Sequence, residues 1–242
     1  MVVVSSGMQK SGSAYIYNVI NDLLIGSGKA DARAVKEKYQ LANMRWHNNN
    51  LFKMDWKSLW HLVKISKKEN TFAVKTHSEP TSALNLFSKM GWVKIVYIYR
   101  DPRDVLLSAI DHGKKILAQG EDHTFAQMVE FDDALKNVKD WVDIYMQYQK
   151  NSKVLSIKYE DLMQQPQETV RRVCTHLGIK ASDEAISEVL FKYNKDNPKA
   201  QMKALHFNKA KINRYTEDLS EEKQRIFKEE LGNEIKTMGY SI

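Results

Sequence analysis

Cysteine is nearly missing from this sequence: Cys174 is the only one among 242 residues. That excludes an intrachain disulfide and any cysteine-based metal site. Cys174 sits in "VRRVCTHLG" at helical spacing from Val170 and Leu177, so a buried structural thiol is the expected role. Long apolar runs are missing too. No stretch approaches the ~18 residues that a membrane-crossing helix needs. "MVVVSSGM" has neither the length nor the charged leader of a signal peptide, so a cytoplasmic protein is expected. Repeats and low-complexity tracts are absent as well.

The composition that is present, 43% hydrophobic and 10% aromatic, is that of a globular protein. A chain of 242 residues can bury a sizeable core, and residues 1–242 are expected to form a single domain. The net charge of +7, from 37 basic and 30 acidic residues, favours an anionic partner. Charge alone leaves nucleic acid, an acidic membrane and a multiply phosphorylated small molecule open.

Short, β-branched, nearly continuous apolar runs at residues 2–5, 71–77, 92–99 and 153–159 suit strands covered on both faces. Helical patterns lie between them. "YIYNVINDLL" follows the first, "DWKSLWHLV" starts on an Asp55 cap, and "DPRDVLLSAI" has proline at a helix start. In the second, the spacing of Trp56, Leu59, Trp60 and Val63 puts all four on one side. The alternation predicts an α/β fold of three layers, with a central parallel sheet of four to five strands between helices. After residue 160 the pattern is helical, interrupted by a basic, aperiodic stretch at 194–216 that reads as a lid over an anion.

Three stretches carry chemistry. "VVVSSGMQKSGSAYIYN" runs strand, glycine-bearing loop, helix, and unpaired amides at a helix start favour an anion. Gly12 permits close approach, Ser11 and Ser13 add hydroxyls and Lys10 adds a charge. In "VKTHSEP", Lys75 and His77 share one side of an extended chain at the carboxyl end of a strand, where α/β sheets bind ligands. A histidine there can take a proton from a bound hydroxyl, with the lysine stabilising developing negative charge. In "VYIYRDPRDVLLSAIDHG", Arg100 ends a buried strand and needs an anion or a carboxylate, Asp101 and Asp104 being the local choices.

In this order and spacing, the three stretches resemble the soluble type of sulfotransferases that use 3′-phosphoadenosine 5′-phosphosulfate (PAPS). The family's Pro-Lys-Ser-Gly-Thr-Thr-Trp loop corresponds to Gln9 through Tyr15, and its catalytic Lys-Thr-His to Lys75, Thr76 and His77. The resemblance implies that the loop of Lys10, Ser11, Gly12, Ser13 and Ala14 holds the 5′-phosphosulfate, with Tyr15 in the place of the family's adenine-stacking tryptophan. It gives Arg100 and Ser108 the 3′-phosphate, with Tyr159 and Phe191 beside the adenine. Asn208, Lys209 and Ala210 match the family's late Arg-Lys-Gly, where Lys211 or Arg214 could supply the missing charge.

On this resemblance, His77 is the base and Lys10 and Lys75 complete the catalytic set, with adenosine 3′,5′-bisphosphate (PAP) as the second product. No metal is expected. The partner is expected to be a small acceptor, aromatic or apolar, drawn from the neighbourhood of Trp46, His47, Phe52, His112, Phe125 and Met128. No nucleic acid and no membrane are expected. By the same comparison, the segment that precedes the first strand in the family and often shapes its acceptor pocket is expected to be missing. A P-loop kinase would require Gly-x-x-x-x-Gly-Lys-Ser/Thr, which the chain lacks. A nucleic-acid binder would rest on the charge and the basic stretch, without any reader motif.

Overall fold

The structure is a computed structural model that describes every residue except 45, 48, 49, 122, 195, 196 and 198–210, and not the side chains of 43, 44, 46 and 47. Among the described residues, β1 (Val2–Gly7), β2 (Trp46–His47), β3 (Asn50–Leu51), β4 (Phe72–Thr76), β5 (Val93–Tyr99) and β6 (Val154–Lys158) form one sheet. Their order is β2-β3-β4-β1-β5-β6. The last five in that order run parallel, and β2 turns back antiparallel on β3. The expected three-layer α/β architecture is present.

Helices α1 (Ser13–Gly26) and α2 (Ala32–Lys38) follow β1, and α3 (Trp56–Glu69) precedes β4. Next come α4 (Ser82–Lys89), α5 (Pro102–Gln119) and α6 (Phe131–Gln149). The helical C-terminal part contains α7 (Tyr159–Gln164), α8 (Pro166–Leu177), α9 (Asp183–Lys192), α10 (Tyr215–Asp218) and α11 (Glu221–Thr237). Two cap assignments made from sequence hold: the Asp55 carboxylate accepts from the Ser58 amide at 2.8 Å, and Pro102 opens α5 behind an Asp101 cap.

The strands are apolar on both sides because both sides are covered. Val2, Val4, Phe72, Val74, Ile95 and Tyr97 pack with residues of α3 to α6 and α11. The alternate positions Val3, Ala73, Val96 and Ile98 pack with α1 and α8. Cys174 belongs to that second layer, and burial pushes its thiol up to about 11, in keeping with a structural role. Leu59 and Val63 of α3 face the core, but Trp56 and Trp60 are 51% and 42% exposed. Their indoles lie on the outer edge of the helix against Phe87, because Leu59, Leu62 and Val63 already fill the inner face.

A candidate active site at the carboxyl edge of the sheet

The chain passes from β1 to β4 on one side of it and then to β5 on the other, so its direction of progress reverses at β1. Open parallel sheets form their ligand crevice at such a point, outside the carboxyl ends of the strands. The three chemistry-bearing stretches lie there, following Gly7, Thr76 and Tyr99.

The loop after β1 is braced from within. The Met8 amide donates to the Ile98 carbonyl at 2.9 Å, and the buried Ser11 hydroxyl contacts the carbonyls of Met8 and Ile98 at 2.5 and 3.3 Å. That hydroxyl therefore holds the loop's shape. Lys10 and Gly12 both take left-handed backbone conformations, with φ of 62° and 81°. A Cβ on Gly12 would lie 3.1 Å from the Tyr159 ring, so glycine meets a conformational and a steric demand together. No side chain caps α1, whose first intrahelical bond runs from the Ile16 amide to the Gly12 carbonyl. First-turn N–H groups thus face the loop, with half-buried Ala14 and buried Ser13 beside them. The Lys10 ammonium lies 5.3 Å from the Phe125 ring centre. Burial lowers its pKa to about 8, against the opposing charge of Asp111. Buried Tyr15 meets the Tyr193 ring edge-on at 6.3 Å.

His77 immediately follows β4. Its Nδ1 is 2.7 Å from the Gly7 carbonyl, which can only accept, so Nδ1 carries the proton and Nε2 keeps its lone pair. Nε2 points to the Ser13 hydroxyl, 3.4 Å away at the start of α1. Burial first, then the charge of Lys75, lowers the His77 pKa to about 4, which keeps the imidazole neutral at pH 7. Lys75 is itself shifted down by burial. Thr76 faces away and donates to the Leu51 carbonyl at 2.7 Å, tying β4 to β3.

After β5, Arg100 is buried and bonds Asp104 at 3.0 Å and the Lys211 carbonyl at 2.5 Å. Its guanidinium also lies 4.5 Å from the Tyr159 ring centre. Asp101, the other carboxylate considered from sequence, is taken by Arg103 through two side-chain bonds of 3.0 and 2.7 Å. Buried Ser108 lies on α5 downstream of both. Arg214 bonds Asp111 at 2.7 Å and Asp218 at 2.6 Å, and the Tyr215 amide donates to Asp104. The chain that resumes at Lys211 is therefore pinned to α5, and the Arg214 charge is spent on carboxylates. Lys211 stays exposed, 3.7 Å from Glu217.

The sequence matches the family model of the sulfotransferase domain over residues 2–239. The chain belongs to the sulfotransferase family. A sulfotransferase 2B1 from Mus musculus is 33% identical over 118 residues, 44% of this chain and 34% of the relative. A 3-alpha-hydroxysteroid sulfotransferase from Cavia porcellus is 27% identical over 202 residues, 78% of this chain and 64% of the relative. These matches therefore span a third to just under two thirds of the relatives' length. Among solved structures, the mouse sulfotransferase SULT7A1 complexed with PAP is 16% identical, with a TM-score of 0.62 over 97% of this chain and 84% of its own. Retinol dehydratase with androsterone and the inactive cofactor PAP is 20% identical, with a TM-score of 0.59 over 97% and 80%. At such identities the two structures establish the shared fold.

Several features of this sulfotransferase-family edge suit an anionic, ring-bearing donor. Arg100 Nε is buried with no hydrogen-bond partner among the described residues. The loop presents uncapped amides at the start of α1. Phe191, assigned to the adenine by resemblance, is 69% exposed on α9. Asn208, Lys209 and Ala210, with most of the 194–216 stretch, lie outside the described residues, as do the Trp46 and His47 side chains. Phe52 is exposed, whereas Phe125 and Met128 are buried next to His112, whose ring is 4.9 Å from Phe125. Gly113 makes this contact possible, since a Cβ there would lie 2.4 Å from the Phe125 carbonyl. The Gly7 carbonyl, Asp111 and Tyr193 escaped the sequence reading. A backbone acceptor leaves no trace in a sequence, and the Asp111–Arg214 pair joins positions 103 residues apart.

Proposed function

We propose that this chain transfers a sulfuryl group from PAPS to a hydroxyl or amine of a small-molecule acceptor. The observation that carries the reading is His77: a neutral imidazole, its tautomer set by the Gly7 carbonyl, with Nε2 directed at the start of α1. Bound there, PAPS would supply the activated sulfuryl group. The loop backbone at Lys10–Tyr15 and the Ser13 hydroxyl hold its 5′ side, and Arg100 and Ser108 hold the 3′-phosphate. Tyr159 and Phe191 flank the adenine.

His77 Nε2 accepts the acceptor's proton. Lys10 and Lys75, each partly stripped of water, stabilise charge that develops on the transferring group and the departing phosphate. Positioning does much of the remaining work, as in phosphoryl transfer. Phe125 beside the Lys10 ammonium, with His112 and Met128, supports an aromatic or apolar acceptor. Residues 1–242 act as one domain in this reading, and the protein resides in the cytoplasm.

The test is incubation with labelled PAPS and a panel of phenols, alcohols, sugars and amines, read by mass shift. Thermal stabilisation by PAP should exceed that by ATP with magnesium. Preference for ATP would overturn the reading in favour of a phosphotransferase.

A further inference from the structure

An open groove of about 590 Å³ that the proposed function does not use lies between α3 and α4, lined by Trp56, Lys57, Trp60, Leu86, Phe87, Met90 and Trp92. Its aromatic rings form a connected set. Phe87 lies 5.6 Å from Trp56 and 5.2 Å from Trp92, and Trp60 lies 5.6 Å from Trp92. Trp56, Trp60, Leu86 and Met90 are all at least 42% exposed. Such a contiguous apolar face on a surface marks an interaction site. Trp92 and Met90 stand at the amino end of β5, the opposite edge of the sheet from His77 and Lys10.

Charge decides what the groove fits. Lys57 lines it, Lys64 lies 5.5 Å from the Trp60 ring centre, and the helices that bound it, α3 and α4, carry exposed Lys67, Lys68 and Lys89. No carboxylate lines it. The nearest acids on α3 are engaged, Asp55 in the helix cap and Glu69 with Lys38 and Tyr39. A second copy docked face to face would set lysines against the same lysines, an unfavourable self-pairing. Indoles seated among lysines instead match the boundary of an anionic bilayer, where tryptophan rings sit at headgroup level and lysine stems reach out to phosphates. We propose that this face docks the protein peripherally on anionic phospholipid membranes. No described helix is long and apolar enough to cross a membrane, and the proposal concerns a surface that lies on one.

The full chain is mixed with phosphatidylcholine vesicles, with or without roughly 30% phosphatidylserine, and followed by co-sedimentation and tryptophan emission. Binding with a blue shift is expected only with phosphatidylserine, and lipids brominated near the headgroup should quench the wild-type emission. Combined Lys57→Glu, Lys64→Glu and Lys89→Glu should weaken binding by at least about tenfold. Lys136→Glu, Lys228→Glu and Lys236→Glu, exposed on α6 and α11 and equal in charge change, should leave it near wild type. Trp56→Ser with Met90→Ser should remove the blue shift. The proposal is overturned by absent binding, by equal losses in the two lysine sets, by unquenched emission, or by a dimer that these substitutions dissolve.

Discussion

At the carboxyl edge of the sheet, two groups of basic side chains meet burial in opposite ways. Lys10, Lys75 and His77 form no ion pair among the described residues, and burial shifts the pKa of each downward. Arg103 and Arg214 are each held by carboxylates. Burial works against their charge too, but hydrogen bonds and charges from Asp101, and from Asp111 and Asp218, more than offset it and raise their pKa values. The first group is electrostatically incomplete and gains from an arriving anion. The second is complete, and its work is to fasten the chain after Lys211 and the C-terminus, where Arg103 bonds the Ser241 carbonyl at 2.7 Å. Positive charge near a site does not therefore imply a ligand role. What distinguishes the groups is whether a carboxylate already answers the charge.

Substitutions can break this contrast at either side. His77→Ala should lower kcat by about 10²–10⁴-fold while PAP affinity, measured by calorimetry, stays within about threefold. Asp101→Ala should do the reverse. It leaves the buried Arg103 guanidinium unanswered and should cost about 3–5 kcal/mol in denaturant unfolding. Gly12→Ala forces a left-handed residue against Tyr159 and should cost about 1–2 kcal/mol, with weaker PAP binding in the same titrations.

Lys10→Met removes an unanswered charge. It should raise the stability of the free protein at pH 7 by on the order of 1 kcal/mol and still lower PAP affinity. The pH dependence sharpens the point. The folded pKa of Lys10, about 8, lies below the ordinary 10.5, so the unfolded chain holds more protons between those values. Lys10 thus makes stability rise with pH across that window, and Lys10→Met should flatten the rise. For His77 the folded value of about 4 lies below 6.5, so its contribution is present above pH 6.5 and lost as pH falls toward 4. The acid limb of kcat/KM should then lie near pH 4. A limb at 6.5 would show that another group is the base.

Four strands were legible because burial on both faces leaves a continuous β-branched run, and each observed strand lies within two residues of its expected ends. β2 and β3 were not, since two residues cannot display a period. Trp56 and Trp60 mark a related limit. Their spacing told that they share a side of α3 and left open whether that side was the core or the groove.

Taken alone, the sequence determined the three-layer order and the set of residues at the carboxyl edge. Local spacing specifies strands, loops and caps, and parallel topology then gathers their ends. Tertiary structure alone decided the partners. The proton on His77 is placed by a carbonyl 70 residues away, the Ser11 hydroxyl is turned into the loop, and Asp101 goes to Arg103 while Asp104 goes to Arg100. The first depends on a contact between groups remote in the chain, and the others on which of several neighbouring partners the folded backbone brings within hydrogen-bond reach, which a linear pattern does not contain.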